Sequence, residues 1–318
     1  MNDGAHAPQG GVADLARHLS RGLVGHERLI DRLLIGLLAG GHLLVEGAPG
    51  LAKTRAVKWL AAAVAGSFAR VQATPDLMPA DLTGTPVWRP AEGRFEFVPG
   101  PVFHNLVLVD EINRAPPKVQ SALLEAMAER QVTAGEATHA LPDPFLVVAT
   151  QNPIEHDGTF PLPEAQLDRF LMHVLLDLPD AETERRILDL VEAESRTAAV
   201  PVQPLSLEAL ASARAEAMSV HLSPPLRDYI VRLVMATRVP PTGDEVQHAV
   251  SPRGSLALAS AAKARAYLRG RDHALPEDVA EVAPDALAHR IVLTWRAVSE
   301  GRTARALIAD VLDRVEPL

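Results

Sequence analysis

Apolar positions along this chain follow two patterns. The first is the short continuous run: residues 42–46 (HLLVE), 105–109 (NLVLV) and 145–150 (FLVVAT) each stop at a glycine or polar position. Runs of this length and density are what strands buried on both faces of a parallel sheet look like. Residues 68–71 and 171–176 predict two further strands. The second pattern is helical spacing: residues 15–38 around a turn at 22–25, residues 53–64, and a helix on which Val119, Leu123, Leu124 and Met127 share a face behind Pro116 and Pro117. Strands alternating with helices predict an α/β fold, a parallel sheet with helices on both faces.

Near Asp177 the pattern changes. Pro179, Pro201 and Pro204 bracket a helix at about 182–195. Ser223-Pro224-Pro225 then reads as a cap with proline at the first helical position, followed by Leu226, Tyr229, Ile230, Leu233 and Val234 on one stripe. Helical spacing recurs at 253–268, 277–289 and 303–315, with no strand pattern. The expected organisation is a disordered tail (1–14), an α/β domain (15–195), a linker (196–204) and a smaller all-helical lid (205–318). Two insertions, about 84–103 and 130–145, each read as a β-hairpin around a glycine-bearing turn. Hairpins inserted into such a domain often carry partner contacts.

Composition narrows the function. At 318 residues, with 47% apolar and 22% charged positions, the chain suits about two globular domains. A net charge of −9 argues against electrostatic grip on a nucleic-acid backbone as the main task. The absence of cysteine excludes disulfides, thiolate metal sites and cysteine nucleophiles. The first fourteen residues have neither a basic nor an apolar targeting region, and no apolar stretch approaches a membrane span, so a cytoplasmic protein is expected.

The chemistry concentrates at strand ends. Gly47, Ala48, Pro49, Gly50, Leu51, Ala52, Lys53 and Thr54 lie between a predicted strand and helix, the context a phosphate-binding loop requires. Glycines let backbone N–H groups turn toward phosphate oxygens, and the helix N-terminus adds its positive end. Lys53 can reach the β- and γ-phosphates, and the Thr54 hydroxyl can ligate Mg²⁺. Ala52 stands where the strict pattern has glycine; its methyl group is expected to require a negative φ. Asp110 and Glu111 end the strand 105–109: Asp110 suits the Mg²⁺ shell, and Glu111 can orient and deprotonate a water. Asn152 ends the next strand, where a neutral amide can touch both the γ-phosphate and that water.

This order of features resembles an AAA+ ATPase. QATPDLMPADLTGTPVW, NLVLVDEINRAPPKVQSALLEAM, ATQNPIEHDGTFPLPEAQLDRFL and SPRG are similar to the bacterial MoxR family of that superfamily, from about residue 15 to the C-terminus. The family accepts Ala before the loop lysine. The resemblance implies that Arg169 is an arginine finger acting on a neighbouring subunit, that Arg253 is a sensor at the start of a lid helix, and that Val24 and Gly25 lie near the adenine. It also implies ATP and Mg²⁺ as ligands and a ring of copies, most simply six. The implied work is remodelling or maturation of client proteins, including metal-centre insertion, with a von Willebrand-type partner on a separate chain. Where the family usually has Ala after the sensor arginine, this chain has Gly254.

Other readings carry less. His26-Glu27 lacks the second histidine of a zinc helix, Glu155-His156-Asp157 is too local to surround an ion, and no nucleophile-elbow motif occurs. Trp59, Trp88 and Trp295 read as packing residues. The competing functions are a motor on another target (metal-chelatase-like or helicase-like), a nucleotide-gated scaffold with little turnover, and a GTPase. The last lacks the N-K-x-D guanine signature.

Overall fold

The computed structural model describes residues 11–134, 137–153, 158–196 and 203–317. Five strands, β1 (Leu43–Gly47), β2 (Phe68–Gln72), β3 (Leu106–Asp110), β4 (Leu146–Gln151) and β5 (Met172–Leu176), form one sheet in the order β2-β3-β4-β1-β5. Every neighbouring pair is parallel. The side-chain alternation of period two divides the strands between two cores. Leu43, Val45, Leu106, Leu108, Leu146, Val148, Met172 and Val174 face one apolar cluster, whereas Leu44, Val107, Val109, Val147 and Ala149 face the other. Both faces are covered, which is why the strands read as unbroken apolar runs.

Before the lid come α1 (Gly11–Gly22), α2 (Glu27–Ala39), α3 (Lys53–Ala62), the short α4 (Pro79–Thr83), α5 (Pro117–Glu129), the one-turn α6 (Glu164–Leu167) and α7 (Ala181–Arg196). Residues 11–14, expected in the tail, are the first turn of α1, because Val12 joins Leu15 and Leu19 on its buried stripe. The rest of the expected tail and most of the expected linker lie outside the described residues. His42 fixes the start of β1: its Nδ1 accepts from Val147 N (3.0 Å), and its Nε2 faces Met127 O (3.3 Å).

The lid contains α8 (Leu207–Ser219), α9 (Pro224–Ala236), α10 (Pro252–Leu268), α11 (Pro276–Leu287), α12 (Trp295–Ser299) and α13 (Ala304–Arg314). Ser206, Ser223, Ser251, Thr294 and Thr303 cap helices with side-chain oxygens. Against expectation, the lid has a two-stranded piece, Val246–His248 antiparallel to Val292–Leu293. The small side chains Ala257, Ala261 and Ala264 of α10 lie in the same core as α1, α2 and α3. Asp285 of α11, fully buried, accepts from Arg28 and Arg32 of α2 and from Arg305 of α13. Burial alone would raise its carboxyl, but the arginines hold it below the usual range.

Both insertions form hairpins: Gly84–Arg89 with Arg94–Pro99, and Gln131–Ala134 with Ala137–Ala140. Phe97 stacks on His139 at 4.0 Å and joins them. Trp88 and Phe95 pair across the first hairpin at 5.1 Å and remain 49% and 67% exposed. Trp59 packs against the core, but Trp88 and Trp295 do not behave as packing residues. The former lies near a hairpin tip, and the latter, 83% exposed, opens α12.

Candidate active site

The strand register brings the carboxyl ends of β1 to β4 together. Glu46 pairs with Gln151, and Gln72 with Asp110. The chain reverses its direction of travel across the sheet between β1 and β4, the switch point at which open parallel sheets bind ligands. Residues 48–52 loop from β1 to α3 here. Gly47 sits in a tight place: a Cβ would stand 3.1 Å from Leu176 O and 3.0 Å from Leu176 Cβ, so a side chain there would push its neighbours by a few tenths of an ångström.

Ala52 corrects the expectation of a negative φ. It lies at φ 53°, ψ 17°, in the left-handed region. Its methyl packs against the apolar cluster beneath the loop. The conformation costs a non-glycine residue about 1–2 kcal/mol, and it is the kind of turn that points successive N–H groups into one concavity.

Lys53 Nζ donates to Gly47 O and, at 3.1 Å, to Gln151 O, so the ammonium spans the ends of β1 and β4. Thr54 Oγ1 donates to Asp110 Oδ1 at 3.1 Å. Asp110, 4% exposed, also accepts from Thr150 Oγ1 (3.2 Å) and from Arg70 Nε (2.7 Å). Glu111 too is left-handed (φ 57°, ψ 50°); its N–H donates to Thr150 Oγ1 at 3.0 Å. Its carboxylate accepts from Gln72 Nε2 (3.0 Å) and from Arg114 (3.2 Å) and is partly exposed. Asn152 is buried at the end of β4. Together with residues 49–55, these groups line a cleft of about 380 Å³.

Four residues singled out in the sequence lie elsewhere. Arg169 directs its guanidinium to Leu124 O on α5. Arg253, mostly exposed, lies 3.8 Å from Asp168 Oδ2. Gly25 turns the chain at φ 78°, with Thr183 of α7 so close that a Cβ would stand 2.1 Å from its methyl. Neither Val24 nor Gly25 lines the cleft.

Comparison with known proteins is decisive for the family. The ATPase family associated with various cellular activities (AAA) matches residues 42–172, and the AAA lid domain matches residues 242–311. The chaperone MoxR1 of Mycobacterium tuberculosis is 44% identical over 97% of this chain and 85% of its own length. The protein MoxR of Methylorubrum extorquens is 34% identical over 96% of this chain and 93% of its own length. This chain belongs to the MoxR family of AAA+ ATPases. A crystal structure from Cytophaga hutchinsonii superposes with a TM-score of 0.88, at 44% identity, over 96% of this chain and 94% of that one.

As a MoxR-family ATPase the chain binds and hydrolyses nucleotide. The residues also suit Mg²⁺. Its preferred donors are hard oxygens, and the Thr54 hydroxyl and the buried Asp110 carboxylate supply two within 3.1 Å of each other. The sequence reading of this MoxR-family site overlooked Arg70, Gln72 and Thr150. Gln72 stands at the head of a family motif and Thr150 at the end of an apolar run, both visible signals; Arg70 carries none, since only strand register brings it to Asp110. Among the described residues no cluster of histidine and carboxylate could hold another metal, and no helix is long and apolar enough to cross a membrane.

Proposed function

We propose that this chain hydrolyses ATP in the cleft at the ends of β1 to β4 and uses the cycle to remodel client proteins in the cytoplasm, including the maturation of metal centres. The observation that carries the site is the convergence of Lys53, Thr54, Asp110, Glu111 and Asn152 from three separate segments on one cleft. The backbone of residues 47–54 cradles the phosphates, and Lys53 exchanges its two carbonyl contacts for phosphate oxygens. Thr54 and Asp110 hold Mg²⁺, which neutralises charge on the phosphates when bound. Glu111, partly exposed and oriented by Gln72, takes the proton of the attacking water. Asn152 aligns that water.

Arg169 completes the site of a neighbouring copy. Its guanidinium is turned away from its own cleft, toward α5, which supports action in trans. Contacts of that kind run head to tail and close into a ring, here of six copies. Arg253 senses nucleotide from the lid, with Val24 and Gly25 beside the adenine. The joined hairpins, with Trp88 and Phe95 exposed, form the surface that meets clients; a von Willebrand-type protein on a separate chain would select them.

The deciding experiment mixes subunits. Arg169→Ala should bind ATP normally but hydrolyse it about 10³-fold more slowly, as expected for a lost finger. Lys53→Ala subunits supply intact fingers without a working loop. Mixing the two should restore part of the activity; a mixture as inactive as either parent at every ratio would overturn action in trans.

A further inference from the structure

One lid guanidinium grips the turn that carries Arg169. Arg290, between α11 and the lid's short strand pair, has a side chain only 3% exposed. All five of its N–H groups find oxygen acceptors. Nε donates to Asp168 Oδ1 (2.8 Å). One terminal nitrogen donates to Asp168 O (3.2 Å) and Phe170 O (2.6 Å). The other donates to Leu171 O (3.3 Å) and to Ala286 O at the end of α11. Four of the five contacts therefore grip residues 168–171, on both sides of Arg169. Two further lid side chains touch this turn: Ser251 Oγ, the cap of α10, donates to Asp168 Oδ2 (3.2 Å), and His289 Nε2 lies 3.2 Å from Phe170 O.

An arginine forked across several backbone carbonyls fixes a peptide segment as a rigid unit, since five donors in one plane admit a single geometry. The fixed segment here carries Arg169 at its centre. We infer that Arg290 is a positioning residue for the Arg169 finger, so that the position of a subunit's lid sets the geometry of the finger it offers to its neighbour. The inference rests on the proposal that Arg169 acts in trans. A purely structural Arg290 would tie the lid down and affect its own subunit; a positioning Arg290 would affect the neighbour's hydrolysis.

Arg290→Lys keeps the charge but replaces the planar fork with one point donor. It should lower kcat by about 10- to 100-fold, the scale of a misplaced catalytic group, while nucleotide affinity stays within about twofold. Mixing with Lys53→Ala subunits should recover activity, because their Arg290 and finger are intact. Combined with Arg169→Ala, Arg290→Lys should slow hydrolysis no further, as two residues acting through one contact are not additive. The isosteric Asp168→Asn, which leaves the carbonyl contacts in place, should show the same recovery with a smaller loss, and it serves if the Arg290 variant does not fold. The inference is overturned if Arg169→Ala is rescued by Lys53→Ala but the Arg290 and Asp168 variants are not, or if the double variant multiplies the two losses. If Arg169→Ala itself is not rescued, the finger reading is what fails.

Discussion

Arg70 Nε stands 2.7 Å from Asp110 Oδ2, so a guanidinium from β2 neutralises the carboxylate that Thr54 and Thr150 also face from the first turn of α3 and from β4. A carboxylate this buried needs a cationic partner. A divalent ion at Asp110 would compete with Arg70 for the same oxygens. Arg70→Ala should therefore lower the Mg²⁺ concentration needed for half-maximal nucleotide-dependent thermal stabilisation, by about 3- to 10-fold, and reduce stability in the absence of Mg²⁺ by about 1–2 kcal/mol. Thermal melts across a Mg²⁺ titration check both; a higher Mg²⁺ requirement would mean that Arg70 aids phosphate binding instead.

Lys53→Ala removes the only lysine in the cleft and two donors to strand-end carbonyls. Nucleotide affinity should fall by at least about 100-fold, consistent with losing charge-assisted contacts to phosphate oxygens worth about 3 kcal/mol. Binding of a fluorescent ATP analogue measures this. Circular dichroism should show the fold retained, because neither core includes the Lys53 side chain.

Glu111→Gln preserves shape and the partners Gln72 and Arg114 while removing the base. It should bind ATP with near-normal affinity and hydrolyse it about 10²–10⁴-fold more slowly. Phosphate release in steady state, alongside equilibrium binding, separates the two effects. Such a variant should retain clients in ATP and release them in ADP.

The sheet was largely legible because its strands are covered on both faces and so appear as apolar runs. The loop and the acidic pair were legible because they follow directly in sequence where those runs stop. What escaped notice depends on distance. Helix α8 was missed because its ALASARAEAM stretch is alanine-rich, and its buried stripe of Leu210, Ala213 and Ala217 barely differs from its exposed face. The short Val246–His248 strand has no apolar run to announce it and exists only through its partner at 292–293. Arg290 belongs with these: alone it is an arginine at a helix end, and its meaning lies in carbonyls about 120 positions earlier. Ala52 illustrates the reverse failure. The sequence pattern flagged the departure correctly, but the resolution runs opposite to expectation: the loop keeps its left-handed turn, and the methyl is accommodated against the core.

That left-handed Ala52 yields its own prediction. Glycine would remove about 1–2 kcal/mol of local strain but add about 0.4–1 kcal/mol of unfolded-state entropy and lose the methyl's packing. Ala52→Gly should thus be stabilising by only about 0.5 kcal/mol, with nucleotide affinity unchanged within about threefold. Urea unfolding checks the first and equilibrium binding the second. Destabilisation beyond about 1 kcal/mol would show that packing, not backbone geometry, explains the residue.

Acid should unfold this protein from the start of β1. Burial pushes the His42 imidazole down to about 4, with Met127 O opposing the shift and Arg130 adding to it. In the folded chain the ring is neutral, Nδ1 accepting from Val147 N and Nε2 facing Met127 O as donor. Unfolded, it would titrate near its ordinary value of about 6.5. Between those two values the unfolded state binds the extra proton, so stability is intact above about pH 6.5 and falls as pH drops toward 4. One proton over that interval amounts to about 3 kcal/mol. His289, also held well below its ordinary value by burial, Arg290 and His173, adds a loss of the same sign. His42→Asn should be somewhat less stable at pH 7, because it loses the Met127 contact, yet lose less stability on acidification. Urea unfolding at intervals from pH 7 to pH 4.5 measures the two slopes. Equal slopes would mean that a proton on His42 is accommodated without disturbing the first strand of the sheet, and the acid sensitivity would then have to come from the lid side, through His289.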